Sequence, residues 1–328
     1  MKCLIVNRDA AYIKERLSSK FPELKVHAAC LDADFEGSLK QGSAAYDEFV
    51  KFLEEAEILI AIRFPDDLMQ RAKNLQWVQC MTAGVDFIQL LPSLREGILL
   101  TSTKGIHGPQ MSELAFLFML NLTRKYPQML HNQEKRIWGR RPQPLLFKKS
   151  VGILGVGGIG KEIARRCKVF DMTVLGITSK KRAIQNVDHS YGPDGLIEVM
   201  RRVDYFINVA PNIPETRNMI GEKELASMKP TAFFINIGRG ETVNEEALIS
   251  ALEQRRIAGA ALDVFCEEPL PEDSRLWSLD NVLITPHIGG LSNIYADQAL
   301  PLFEENLRRY LNGERKDLIN LVQWKKNR

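Results

Sequence analysis

Three groups of residues in this chain have types and spacings suited to chemistry. The first is Gly155-Val156-Gly157-Gly158-Ile159-Gly160, a G-x-G-x-x-G run. It follows an apolar stretch, Val151–Leu154, that reads as a strand, and it opens a segment of helical period. In that setting the first glycine permits a tight turn. The second lets the backbone approach a pyrophosphate, and the third allows helix and strand to pack closely. The N–H groups at the start of the helix then face the anion. Gly155, Gly157, Gly158, Ile159 and Gly160 are therefore expected to contact a dinucleotide.

The second group follows the next strand: Gly176-Ile177-Thr178-Ser179-Lys180-Lys181-Arg182. A site for NAD usually has an Asp or Glu about 20 residues beyond the glycines, bonded to the ribose 2′-hydroxyl. Here hydroxyls and three cations stand instead. Such a set suits a 2′-phosphate. NADP is thus expected in preference to NAD, with Ser179, Lys180 and Arg182 as contacts. The competing reading is a solvated basic turn.

The third group lies at three further strand ends. Asn236-Ile237-Gly238-Arg239-Gly240 sets an arginine between glycines. Asp263-Val264-Phe265 runs through Glu268-Pro269, and Thr285-Pro286-His287 precedes two glycines. Ligands of open α/β sheets bind at the carboxyl ends of strands. Each of Arg239, Asp263, Glu268 and His287 alone reads as a surface ion pair or a structural residue. Together, behind a nucleotide turn, they make an acid-paired histidine beside an arginine.

The elements that must position these groups alternate between short apolar runs and helix-period segments, the pattern of βαβ units and a parallel sheet. In the first hundred residues the strand candidates are Cys3–Val6, Val26–Ala29, Ile58–Ile62, Trp77–Cys80 and Leu99–Ser102, with helices at Ser43–Glu55 and Asp66–Lys73. A second series holds Val151–Leu154, Thr173–Ile177, Tyr205–Asn208, Ala232–Ile237, Gly259–Val264 and Val282–Thr285. Between the series lies a long helix, with Gly108-Pro109 as N-cap and first-turn proline. The segment Tyr126–Lys149, rich in proline, arginine and lysine, reads as a surface excursion. The tail Asn293–Leu311 has helical period and Gly313 to end it, although Pro301 argues against one continuous helix.

Composition limits the alternatives. The chain has 328 residues, 45% hydrophobic and 26% charged, with a formal net charge of +3. Length alone suggests two domains, and so small a charge excess gives no reason to expect nucleic acid or an anionic membrane. The longest uninterrupted apolar run, Leu114–Leu120, is far short of the roughly 20 residues of a membrane span, and the N-terminal stretch is too short for a signal peptide. The five cysteines are scattered without a Cys-x-x-Cys pair. Reduced thiols, a cytoplasmic location and no metal site are expected.

The order and spacing of Gly155–Gly160, Asn236–Gly240, Asp263 through Pro269 and Thr285–His287 resemble those of the D-isomer-specific 2-hydroxyacid dehydrogenases. Gly108-Pro109-Gln110-Met111-Ser112-Glu113 and the basic stretch bring the chain nearest to the glyoxylate/hydroxypyruvate reductase type. The resemblance implies an α/β fold of two Rossmann/flavodoxin-like domains with parallel sheets and a cleft between them. A discontinuous substrate domain (1–103 plus 289–328) would surround a dinucleotide-binding Rossmann domain (104–288). It implies NAD(P)H-dependent reduction of a small 2-oxo acid to the D-2-hydroxy acid. His287 would be the acid–base group, Glu268 its partner, and Arg239 the binder of the 2-oxo acid. A protonated imidazole can supply a proton near neutral pH, a carboxylate favours and orients it, and a guanidinium offers a planar fork of donors to a carboxylate.

By the same resemblance, the loop Met81-Thr82-Ala83-Gly84-Val85-Asp86 would hold the substrate carboxylate on backbone N–H groups, with Ala83 and Gly84 in contact. Asp263 would lie near the nicotinamide carboxamide, and Ala210, Pro211, Ile237 and Gly289 would complete the cofactor contacts. The family also packs the long helix at a two-fold interface, so a homodimer is expected. Alternative functions are a nucleotide-sensing, corepressor-like scaffold, a phosphoglycerate dehydrogenase-type enzyme and, least favoured, a formate dehydrogenase-like enzyme, whose branch carries an amide where Glu268 stands.

Overall fold

Residues 1–31 and 39–322 are described by the computed structural model. Most of the short apolar runs between helices form strands that are almost fully buried, since a parallel sheet is covered on both faces. The first series gives β1 (Lys2–Val6), α1 (Ala10–Lys20), β2 (Lys25–Ala29), α2 (Ala44–Glu55), β3 (Ile58–Ala61), α3 (Asp66–Arg71), β4 (Trp77–Cys80), α4 (Asp86–Gln89) and β5 (Leu99–Ser102). Ser43 caps α2 by accepting from the Tyr46 N–H.

The middle of the chain gives α5 (Gly108–Arg124), α6 (Tyr126–Glu134), β6 (Ser150–Leu154), α7 (Gly158–Val169), β7 (Thr173–Ile177), β8 (His189–Tyr191), α8 (Leu196–Arg202), β9 (Tyr205–Asn208), α9 (Glu222–Ala226), β10 (Phe233–Asn236), α10 (Glu245–Glu253), β11 (Gly259–Leu262) and β12 (Val282–Ile284). The last helix is α11 (Tyr295–Leu311). Two compact units result. One holds Met1–Ile106 with Ser292–Arg328, the other His107–Leu291.

In the first unit five parallel strands run in the order β2-β1-β3-β4-β5. Trp77 stacks on Phe303 and Tyr310 of α11 in its core. In the second unit seven parallel strands run β12-β11-β10-β9-β6-β7-β8. The order reverses between β6 and β9, the switch point at which a doubly wound sheet opens for a ligand. The α/β class with two parallel sheets is the one expected.

Several local expectations need correction. The N-cap of α5 is His107, with Gly108 and Pro109 inside its first turn. The excursion after Tyr126 contains α6, which begins after Lys125 turns left-handed at φ 51°. No residue of α6 is buried, so it has no apolar stripe to reveal it. Strand β8 has three residues at a sheet edge, too few for a period. Helix α11 runs unbroken through Pro301. That proline is exposed, so the carbonyl deprived of its N–H partner can turn to water. Gly313 ends the helix at φ 84°. Among the described residues no helix is long and apolar enough to cross a membrane.

Candidate active site

The turn after β6 sits at the switch point. Gly155 has φ +95°, and a Cβ there would press on the Val209 carbonyl and the Ala210 N–H at 3.0–3.1 Å. A Cβ on Gly160 would come within 2.4 Å of the Gly155 carbonyl oxygen. These two glycines let the chain fold. Gly157 and Gly158 differ, because nothing lies within 4 Å of where their Cβ atoms would be. Gly157 is the N-cap of the twelve-residue α7. Open space in front of a helix N-terminus fits the pyrophosphate of a dinucleotide.

The next two strands of the sheet on one side of β6 end alike. Both β9 and β10 close on Phe-Ile-Asn, and Asn208 and Asn236 are buried. The Asn208 Nδ2 donates to Asn236 Oδ1 (3.0 Å) and to Thr242 Oγ1 (2.6 Å). Each Oδ1 accepts a backbone N–H two residues on, from Ala210 and from Gly238 (both 3.1 Å). Asn236 Nδ2 and Thr242 Oγ1 then donate to the Arg239 carbonyl. A buried polar ladder thus shapes both loops. Arg239 is half-buried, with Nη1 donating to the Gly238 carbonyl at 2.8 Å. Ala210 and Ile237 bury their side chains, whereas Pro211 is exposed.

Asp263, at the end of β11, is 1% exposed. Its Oδ1 accepts from Thr285 Oγ1 (2.6 Å) and the Ile288 N–H (2.9 Å), and its Oδ2 from the Gly289 N–H (2.9 Å). Its backbone carbonyl accepts the His287 N–H at 2.9 Å. One residue therefore holds the whole turn from Thr285 to Gly289. Within it His287 takes φ 51°, a conformation that costs a non-glycine residue about 1 kcal/mol or more. Gly289 has no room for a side chain, since a Cβ would meet Leu114, Asp263 and Met111 at 2.6–3.0 Å.

The turn aims the imidazole at a carboxylate. His287 Nδ1 lies 2.6 Å from Glu268 Oε2, and both side chains are a quarter to a third exposed. The other carboxylate oxygen of Glu268 accepts the Phe265 N–H at 3.1 Å. Burial alone would raise the pKa of Glu268. The bonds from His287 and Phe265, with the charges of His287 and Arg239, outweigh burial and hold it below the usual carboxylate range. Histidine, glutamate and arginine thus act on one another electrostatically. His107, at the start of α5, is buried, and its pKa is pushed down to about 4, chiefly by burial and further by the charge of Arg239.

Other expected residues are placed less tightly. Ser179, Lys180, Lys181 and Arg182 are all exposed, and among the described residues no carboxylate pairs with the three cations. Thr178 Oγ1 donates to the Lys180 carbonyl at 2.8 Å, which bends the loop at its root. In the first unit, Ala83 and Gly84 lie on a half-buried loop after β4. Thr82 Oγ1 donates to the Gly84 carbonyl, and the Thr103 N–H to the Thr82 carbonyl at 3.0 Å. Among the described residues no three His, Cys, Asp or Glu side chains gather as metal ligands.

Sequence reasoning missed Asn208, Thr242 and His107, and it quoted Asn236 within the Arg239 motif without a role of its own. The repeated Phe-Ile-Asn at two strand ends was the available signal for the asparagines. His107 gave none, because a single histidine before a proline-started helix has no pattern.

Residues 116–289 match the family model described as D-isomer specific 2-hydroxyacid dehydrogenase, NAD binding domain. A glyoxylate reductase of Pyrococcus furiosus is 35% identical over 278 residues, which cover 81% of this chain and 82% of that protein. Among solved structures, a D-isomer specific 2-hydroxyacid dehydrogenase family protein from Aeromonas salmonicida superposes with a TM-score of 0.87 at 31% identity, covering 99% of each chain. An NADPH-dependent glyoxylate/hydroxypyruvate reductase from Sinorhizobium meliloti, in complex with NADP and sulfate, gives 0.80 at 26% identity, covering 98% of each. With a nucleotide turn at the switch point and a carboxylate-paired histidine on the same sheet, this chain belongs to the D-isomer specific 2-hydroxyacid dehydrogenase family, an oxidoreductase family, as a glyoxylate reductase-like member.

Proposed function

We propose that this chain reduces a small 2-oxo acid of the glyoxylate or hydroxypyruvate type to the D-2-hydroxy acid, using NADPH in preference to NADH. The observation that carries this reading is the 2.6 Å contact of His287 with Glu268, within the electrostatic reach of Arg239. The nicotinamide, when bound, supplies the hydride to the carbonyl carbon.

The residues of this chain do the rest. His287 keeps Nδ1 on Glu268, so Nε2 is the nitrogen that gives the proton to the carbonyl oxygen. Glu268 orients the ring by holding Nδ1. Arg239 binds the carboxylate and polarises the carbonyl, and the Ala83 and Gly84 N–H groups are donors for a substrate carboxylate. Gly155, Gly157, Gly158, Ile159 and Gly160 with the α7 N-terminus hold the pyrophosphate. Ser179, Lys180 and Arg182 hold the 2′-phosphate, and the exposure of the two cations leaves them available to it. Ala210, Pro211, Ile237, Asp263 and Gly289 line the remainder of the cofactor.

The active species is a homodimer. Helix α5 turns Leu117 (52% exposed) and Leu120 (37% exposed) outward, and Leu120 shares a surface depression with Leu145, Phe147 and Phe170, apolar surface suited to a second copy.

A panel of glyoxylate, hydroxypyruvate and larger 2-oxo acids, each with NADPH and NADH, tests the reading. Turnover of a small 2-oxo acid with kcat/KM at least about tenfold higher for NADPH is expected. No turnover of any 2-oxo acid above the enzyme-free rate would leave the scaffold reading standing, and equal or better use of NADH would reduce the basic loop to a solvated turn. Light scattering at micromolar concentration should give twice the chain mass, and a monomer would refute the dimer.

A further inference from the structure

The loop that offers Ala83 and Gly84 to the substrate does so through backbone donors, which act only where they are held. Its hold comes from the far end of the chain. Tyr295, the first residue of α11, donates its hydroxyl to the Met81 carbonyl at 2.7 Å. The Thr103 hydroxyl lies 2.9 Å from the same phenol oxygen. Since the phenol proton is committed to Met81, Thr103 is the donor in that pair. The backbone of Thr103 also donates to the Thr82 carbonyl at 3.0 Å, and the Met81 N–H to the Ala61 carbonyl at 2.8 Å.

Met81 and Thr103 are fully or almost fully buried. Burial keeps the Tyr295 phenol neutral, its pKa pushed up to about 12, so it remains a donor throughout the working range. All of these residues lie in the first unit. The last fixed point before the substrate loop is thus a carbonyl bonded by a side chain 214 residues away in sequence.

We infer that Tyr295, supported by Thr103, is a positioning residue for the reaction. It fixes the backbone of Met81–Val85 so that the Ala83 and Gly84 N–H groups point at the substrate carboxylate. This rests on the proposed 2-oxo acid reduction, and it adds residues that the nucleotide turn, the Arg239 loop and the His287 turn do not contain.

The test uses the full-length protein and glyoxylate. Tyr295→Phe keeps the ring in place and removes the hydroxyl that donates to the Met81 carbonyl. KM for glyoxylate should rise about tenfold, the effect of losing one well-placed hydrogen bond, with kcat within about twofold and the affinity for NADPH unchanged. Amide hydrogen exchange should rise about tenfold at Met81–Val85 and stay level in β6 and β7. Thr103→Val should shift the same two readouts in the same direction by less, and it serves if the tyrosine variant does not fold.

An unchanged KM with unchanged exchange at Met81–Val85 would overturn the inference. So would a parallel fall in kcat with faster exchange throughout the first unit, since that reports general loosening. If the wild-type protein turns over no 2-oxo acid while Tyr295→Phe still frees Met81–Val85, the functional reading falls and the hold on the loop stands.

Discussion

Two sets of strand-end loops in the second unit are built on opposite terms. The loops after β9, β10, β11 and β12 are tied down by buried polar side chains: Asn208, Asn236, Thr242 and Asp263. Among the described residues the loop after β7 is tied only at its root, and Ser179 to Arg182 are exposed. Under the proposed function, the difference follows from what each would have to do. Handing a proton to one oxygen requires placement to a fraction of an ångström, and His287 sits on a turn that a buried carboxylate fixes at several points. Attracting a phosphate requires only nearby positive charge on long side chains, which find the anion for themselves.

Damage to the tied loops should therefore be severe and insensitive to salt. The largest effect is expected from His287→Ala, with kcat for 2-oxo acid reduction down about 10²–10⁴-fold and NADPH affinity near wild type by fluorescence titration. A near-normal kcat would remove His287 from the proton transfer.

Asp263→Ala should come next. It strips three donors of their acceptor in a site that excludes water, at a cost of about 3 kcal/mol or more in stability. The loss would be read as a lower urea midpoint, with a fall in kcat as the His287 turn loosens. A variant as stable as the wild type would show that the turn holds itself.

His107 tests whether burial beside Arg239 matters outside the loops. Its pKa lies at about 4 in the folded chain against 6.5 when free. Between these values the unfolded chain takes up a proton that the folded chain refuses. Stability should thus fall as pH drops from about 6.5 to 4, by roughly 2–3 kcal/mol. Urea midpoints of His107→Gln should vary less over that window, and an unchanged slope would assign the acid sensitivity to other groups.

The smallest effect belongs to the exposed loop. Arg182→Glu should cut the preference for NADPH about tenfold at low ionic strength, less at high salt, and leave the urea midpoint where it is. A drop in stability would mean that this loop is tied after all, and the contrast between the two sets would fail.

Much of this molecule was legible in the sequence because the signals are local. Buried parallel strands are continuous apolar runs, so β1, β4, β6, β7 and β9 could be located within a residue or so at either end. The glycine turn was legible because only glycine tolerates the φ of Gly155 and the contact of Gly160. Helix α6 was not, since exposed residues carry no burial period, and neither was β8, whose three residues are too few for one.

The chemical residue types at strand ends were also readable, but their couplings were not. Which oxygen of Asp263 takes the Gly289 N–H, 26 residues on, is decided by strands β11 and β12 lying side by side. That His287 adopts φ 51° and turns its Nδ1 to Glu268 follows from the same packing. The hydroxyl of Tyr295 reaches Met81 only because α11 returns to the sheet of the first unit. Periodicity reports what each residue buries within its own element. Hydrogen bonds between elements depend on where the backbone brings their ends, and the tertiary structure alone decides that.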